Sequence, residues 1–422
     1  MPRILATATI LCIGLGISVA ARAEVTVSIS CSSLGIEQQM CQSGSEAWAK
    51  ETGNKVKLVA TPADANERLA LYQTLLAAES QDIDIFQIDV IWPAILAPHL
   101  LDLGDMLSAE ARNDQFPVLI ENDTVDGKLV AIPWFVDAGL LYYRKDLLEK
   151  HGKEVPRSWA ELAETAKAIM DAEGDKNLQG YVWQGRAYEG LACNALEWIA
   201  SFGGGSIVDE KGAITIDNPQ AAKALATAKG WIGTISPQGV LAYGEEESRG
   251  VFQSGNAVFM RNWPYAWALA NAADSPVKGK VGVTILPQGD GPESRHAATL
   301  GGQHLAVSRY SAHPKEATEL VRYLTGAAEQ KRRAIEGSFN PTLRSLYADQ
   351  DVLAANPFYG EFLPILDNAV ARPSTVTSRR YNQLSSAFVR TVHGTLSGQN
   401  DVAPGLATLG KDLERLSRGG HW

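Results

Sequence analysis

Short β-branched runs alternate with helical patterns from the start of the chain, and that alternation limits the folds open to it. "EVTVSIS" sets Val25, Val27 and Ile29 on one face of a strand, and "KVKLVAT" and "DIDIFQID" are further short apolar runs separated by helical stretches. Strand, helix, strand, helix predicts a largely parallel α/β sheet. With 422 residues, 45% of them hydrophobic, the chain is long enough for two lobes with separate cores.

Later segments add helices. In "PRSWAELAETAKAIM", Ser158 and Glu161 predict a capping box, and Trp159, Leu162, Ala163, Ala166, Ile169 and Met170 fall on one face. "HPKEATELVRYLTG" predicts a helix entered at Pro314 and stopped at Gly326. Regular patterning breaks at "AIPWFVDAG" and at the Pro/Gly-rich "LPQGDGPESRH", so two lobes are expected, joined by more than one crossing segment. Lobes joined in this way enclose a cleft, where small ligands bind.

Residues 1–23 carry Arg3, an apolar run from Ile4 to Ala21, and the Ala21-Arg22-Ala23 pattern of a signal peptidase site, so export and a start at Glu24 are expected. The "TIL" before Cys12 lacks the small residue of a lipid-attachment site. Cys31, Cys41 and Cys193 then remain; a Cys31–Cys41 bridge and a pair of free thiols are both compatible with the spacing. A formal charge of −10, falling to −12 without Arg3 and Arg22, argues against a nucleic-acid or anionic-membrane partner.

Glu37, Asp89 and Asp137 lie near expected strand ends or loops, where a carboxylate accepts paired hydrogen bonds from vicinal hydroxyls or simply caps a helix. Arg68 and Arg372 are the arginines placed to donate a rigid fork of N–H groups, though Arg68 also fits a solvated helix face. In "RNWPYAWALA", Trp263 precedes the turn at Pro264 and can offer a flat face to a sugar ring. Trp267, one turn on, reads as core, and Tyr265 stays undecided. Gly301 and Gly302 before a strand allow backbone to approach a ligand or make a tight turn.

Catalytic and metal patterns are absent from the sequence: there is no H-E-x-x-H, no C-x-x-C pair and no G-x-S-x-G, and "SFGGGSIVD" lacks the lysine of a phosphate loop. His151, His296, His304 and His313 are scattered and read as surface or cap residues. Neither a metal nor a cofactor is expected. Asp89 and Asp137 leave a secreted glycoside hydrolase as the rival from another class.

The stretches "DIDIFQIDVIW", "DAGLLYYRKDLLEKHG", "GYVWQGRAYEGLACNALEW", "FMRNWPYAWAL", "DSPVKGKVGV" and "AATLGGQHLAVS" resemble the extracellular solute-binding proteins of ABC sugar importers, of the trehalose/maltose-binding type. The resemblance implies a two-lobed periplasmic-binding-protein fold of type II. Its lobes would be residues 24–135 with 288–345, and 136–287 with 346–422. It implies a monomer that encloses one α-linked disaccharide, trehalose first and maltose or a sucrose-type sugar next, and docks on membrane permease subunits. Glu37, Arg68, Asp89, Asp137, Trp263, Gly301 and Arg372 would line the site. Two positions depart from the family pattern: Gln303 stands where relatives carry a tryptophan, and Phe135 where they carry a tyrosine.

Overall fold

The computed structural model describes residues 24–367 and 369–422; the expected export leader, residues 1–23, lies outside them. The strands, in chain order, are β1 (Thr26–Ser32), β2 (Lys55–Thr61), β3 (Ile85–Asp89), β4 (Thr124–Val125), β5 (Lys128–Leu129), β6 (Ile132–Ala138), β7 (Leu140–Arg144), β8 (Gln179–Val182), β9 (Ala257–Asn262), β10 (Val281–Ile285) and β11 (Leu300–Val307). They form a five-stranded sheet ordered β2-β1-β3-β11-β6, a four-stranded sheet ordered β10-β7-β9-β8, and the β4-β5 hairpin. Helices pack on both main sheets, giving the two-lobed α/β architecture expected.

The sheets are mixed rather than largely parallel. β1 runs parallel to β2 and β3, but β11 is antiparallel to both β3 and β6. In the smaller sheet β8 and β9 are parallel, whereas β7 is antiparallel to β9 and β10. Helix-linked strands come out parallel. The antiparallel partners β6, β7, β10 and β11 are those that carry the chain from one sheet to the other.

"AIPWFVDAG", expected as a break, is the continuous strand β6, so the boundary expected after residue 135 falls inside a strand that stays in its sheet to Ala138. The passage to the other sheet takes place at Gly139. A Cβ there would lie 2.1 Å from Glu197 Oε1 and 2.7 Å from Arg261 Nη2, so only glycine lets the chain cross over the buried Arg261–Glu197 pair. The return runs from β10 to β11.

Local expectations hold where the signal is local. Ser158 and Glu161 form the capping box of the helix Trp159–Glu173, whose Trp159, Leu162, Ala166 and Ile169 are buried. Gly326 differs: the helix Pro314–Leu324 ends at Thr325, and Gly326, in extended backbone, instead opens the helix Ala327–Gly337. Cys31 and Cys41 are joined, tying the end of β1 to the first helix, α1 (Glu37–Thr52); Cys193 is free and buried. His304 is not a surface residue. It is fully buried and shares a 2.5 Å hydrogen bond through Nδ1 with the equally buried Asp123.

Candidate functional site

Strand register builds the centre of the site. β11 lies between β3 and β6, pairing Gln303 with Asp89 on one side and Gly301 with Asp137 on the other. Asp89 ends β3, where its Oδ1 accepts the Ile91 N–H at 3.2 Å and Arg372 Nη2 at 2.9 Å. Gln303 donates to Asp89 at 3.5 Å and accepts from Arg68 Nη2 at 3.3 Å. Arg68, on the buried face of the helix α2 (Ala65–Ala77), is thus chained to Asp89 through one amide. Glu37 opens α1 and is held by Gln87 Nε2 at 2.7 Å.

The other lobe supplies the opposing wall. Glu189, first residue of the helix Glu189–Ser201, receives Arg372 Nη1 at 3.0 Å and the hydroxyls of Tyr381 and Ser385, each at 2.5 Å. Arg372 therefore bridges Asp89 and Glu189, and its charge is favoured: burial opposes it, but the Asp89, Cys193 and Glu189 side chains outweigh that and raise its pKa. Trp263 follows β9 directly, its indole N–H 3.3 Å from Glu245 Oε1 and its ring 3.8 Å from the Arg261 guanidinium. Arg261 is fully buried and tied to Glu197, so the cation behind the ring is fixed.

Gly301 leaves room for that indole. A Cβ at 301 would stand 3.0 Å from Trp263 and 3.4 Å from Asp137. Gly302, at φ +127°, could not carry a Cβ without meeting the Phe135 carbonyl oxygen at 2.3 Å.

These elements surround one cavity whose walls include Glu37, Arg68, Asp89, Asp137, Trp263, Gly301, Gln303 and Arg372, all eight residues singled out from the sequence. It also draws in Tyr188, Glu189, Cys193, Glu245, Tyr265 and Gly302, of which the sequence suggests only Gly302 and the undecided Tyr265. Glu189 sits in "GRAYEGLACN" and Glu245 in "GEEES"; an acid at a helix start looks the same whether it faces solvent or a cavity. Trp267 is not in the wall. It packs edge-on to Phe358 and donates to the Ala355 carbonyl at 3.3 Å. Phe135 is buried in the hydrophobic core of its lobe, against Trp134 and Phe339.

A larger recess of about 810 Å³ lies beside residues 369–376, but of the eight it takes in only Arg372 and has no aromatic ring in its wall. The smaller cavity holds the concentrated chemistry. Its volume is only about 50 Å³. Small-molecule sites usually enclose about 300–1,000 Å³, so a ligand of that size enters only if the lobes part.

Five carboxylates face two guanidiniums here, and the imbalance shows in Asp137. Its carboxyl accepts no hydrogen bond from a described residue, and burial, then the charges of Glu37 and Asp89, push its pKa well above the usual carboxylate range. Burial also raises that of Glu37, against the pull of Arg68. The Cys193 thiol is pushed up to about 12 by burial, leaving it an inert wall residue.

A group whose pKa rises on folding costs stability once pH passes its unfolded value, so a carboxyl at position 137 works against the fold at neutral pH. Asp137→Asn is expected to raise stability by about 1 kcal/mol at pH 7 and by almost nothing near pH 3, where the wild-type carboxyl is already protonated. Thermal midpoints at the two pH values check this.

Two mixed sheets enclosing a polar cavity with an aromatic wall define a two-lobed solute-binding protein. The chain belongs to the bacterial extracellular solute-binding protein family, whose model matches residues 37–331. It is 52% identical over 396 residues to a probable ABC transporter-binding protein of Deinococcus radiodurans, covering 93% of this chain and 94% of that one. Among solved structures it is similar to maltose-bound T. maritima MalE3, at 41% identity and TM-score 0.88, with 93% of this chain and all of that one covered. It is also similar to the GacH receptor of Streptomyces glaucescens, solved unliganded and with acarbose, at 25% identity and TM-score 0.81, covering 94% and 99%. The family is one of solute-binding proteins, not of enzymes. Among the described residues no helix is long and apolar enough to cross a membrane.

Proposed function

We propose that this chain is the substrate-binding component of an ABC importer and captures an α-linked disaccharide, trehalose first and maltose or a sucrose-type sugar next. The observation that carries the reading is the single cavity in which five carboxylates and two arginines meet the Trp263 indole. Carboxylates accept from vicinal hydroxyls, guanidiniums donate to them, and an indole covers the C–H face of a pyranose. The names of the similar proteins, a probable ABC transporter-binding protein, a maltose-bound MalE3 and a GacH receptor solved with acarbose, support the same class.

Capture works by closure. Asp89, Arg68 and Gln303 sit on one lobe and Glu189, Glu245 and Trp263 on the other, so only the closed form touches a sugar on both sides. That difference in contact is what drives the lobes together. Asp89 is engaged by Arg372 and Gln303, which suits a fixed hydrogen-bond acceptor better than a free nucleophile. Delivery to permease subunits by a monomer completes the reading.

Calorimetric titration with trehalose, maltose, sucrose and glucose tests it. One disaccharide should bind with 1:1 stoichiometry and release no glucose; turnover of the sugar would replace this reading with a hydrolase. Gln303, at the position where the family resemblance implies an indole, is the residue proposed to set preference. Gln303→Trp should change the ratio of the trehalose and maltose dissociation constants by about tenfold. An unaltered ratio would mean that position 303 does not face ligand.

A further inference from the structure

Beside the cavity a set of polar contacts joins the lobes through Arg186, Asp64 and Asn66, which lie outside its wall. Arg186 lies in the turn between β8 and the helix Glu189–Ser201, and its Nη2 donates to Asp64 Oδ2 at 2.9 Å. Asp64 caps α2, its Oδ1 accepting the N–H groups of Asn66 at 2.8 Å and Glu67 at 3.2 Å. One carboxylate thus starts a helix of the first lobe with one oxygen and grips the second lobe with the other.

Asn66 adds a second tie, its Oδ1 accepting the Glu189 N–H at 2.9 Å. The Arg186 guanidinium is braced 4.5 Å over the Tyr188 ring, and the Tyr188 hydroxyl donates to Glu245 at 2.5 Å. α2 is anchored to the five-stranded sheet through the 2.8 Å contact of Tyr72 with Ser30 on β1, while Arg186 follows a strand of the four-stranded sheet. Neither Arg186, Asp64 nor Asn66 lines the cavity, although their neighbours Ala63, Ala65, Tyr188 and Glu189 do.

We propose that Arg186, Asp64 and Asn66 form an interlobe latch that sets how long a bound ligand is held. They are positioning residues: they touch no ligand and act by favouring the closed lobes. The inference rests on the reading of the chain as a protein that closes over its ligand. A state that only a fraction of molecules occupy weakens apparent affinity by that fraction, so loosening the latch speeds release without removing any ligand contact.

The test uses Arg186→Gln, Asp64→Asn and the double variant. Asparagine keeps the helix cap while removing the charge, so a folding defect is separable by circular dichroism. Stopped-flow dissociation of trehalose and of maltose should quicken about three- to fivefold in each single variant, a modest factor because the Arg186 side chain is 40% exposed. The double variant should be no faster than the singles, since both remove one interaction. Small-angle scattering of the sugar-free protein should show a larger radius of gyration in every variant. Dissociation rates and radii equal to those of the wild type would overturn the latch. If neither sugar binds the wild type, the proposed function falls and the radii alone decide the latch.

Discussion

Arg372→Ala is expected to remove sugar binding and about 3–5 kcal/mol of stability together, the usual cost of breaking a buried ion pair by deleting one partner. The arginine is 5% exposed and bonded to Asp89 at 2.9 Å and Glu189 at 3.0 Å, so its loss leaves two acids of opposite lobes facing each other in the cavity. Tyr381 and Ser385 still serve Glu189, whereas among the described residues Asp89 keeps only Gln303 and the Ile91 N–H. Denaturant unfolding, with calorimetry on the fraction that stays folded, checks both effects. Normal stability in the alanine variant would show that the two carboxylates have other partners in solution.

Trp263→Ala separates ligand platform from core. The ring is 9% exposed, lies over Gly301 and is backed by Arg261, whose bond to Glu197 does not depend on the indole. Buried tryptophans at binding sites commonly contribute 2 kcal/mol or more, so sugar affinity should fall at least about 30-fold. Arg261 remains paired, so cooperative unfolding should persist. A variant that unfolds readily yet binds sugar with the wild-type constant would return Trp263 to the core beside Trp267.

Features written in neighbouring residues are legible in the sequence itself. The Ser158–Glu161 box needs only four consecutive residues, and β1 and β2 follow from their short β-branched runs. Features written across the chain are not. His304 reads as a stray surface histidine because its partner, Asp123, is 181 residues away. Antiparallel pairing of β11 with β3 and β6 depends on where the chain returns from the other lobe, which no local pattern records.

The site divides in the same way. Asp89, Asp137 and Trp263 stand out because acids and an indole flank apolar runs, and the family resemblance adds Gln303. Glu189 and Glu245 do not, since a helix-opening glutamate is ordinary on any surface. Whether Cys31 and Cys41 pair is open from spacing alone; the return of α1 beside the end of β1 brings them together.

The proposed function requires an α-linked disaccharide to be enclosed in the cavity between Trp263 and the Asp89–Arg372–Glu189 bridge. A crystal structure of the protein grown with trehalose, and one with maltose, tests it most directly. One disaccharide should appear with a pyranose face against Trp263 and hydroxyls on Asp89, Asp137 and Arg372. A sugar bound elsewhere, or a cavity still closed by the Arg68–Gln303–Asp89 chain in protein that calorimetry shows to be saturated, would contradict it.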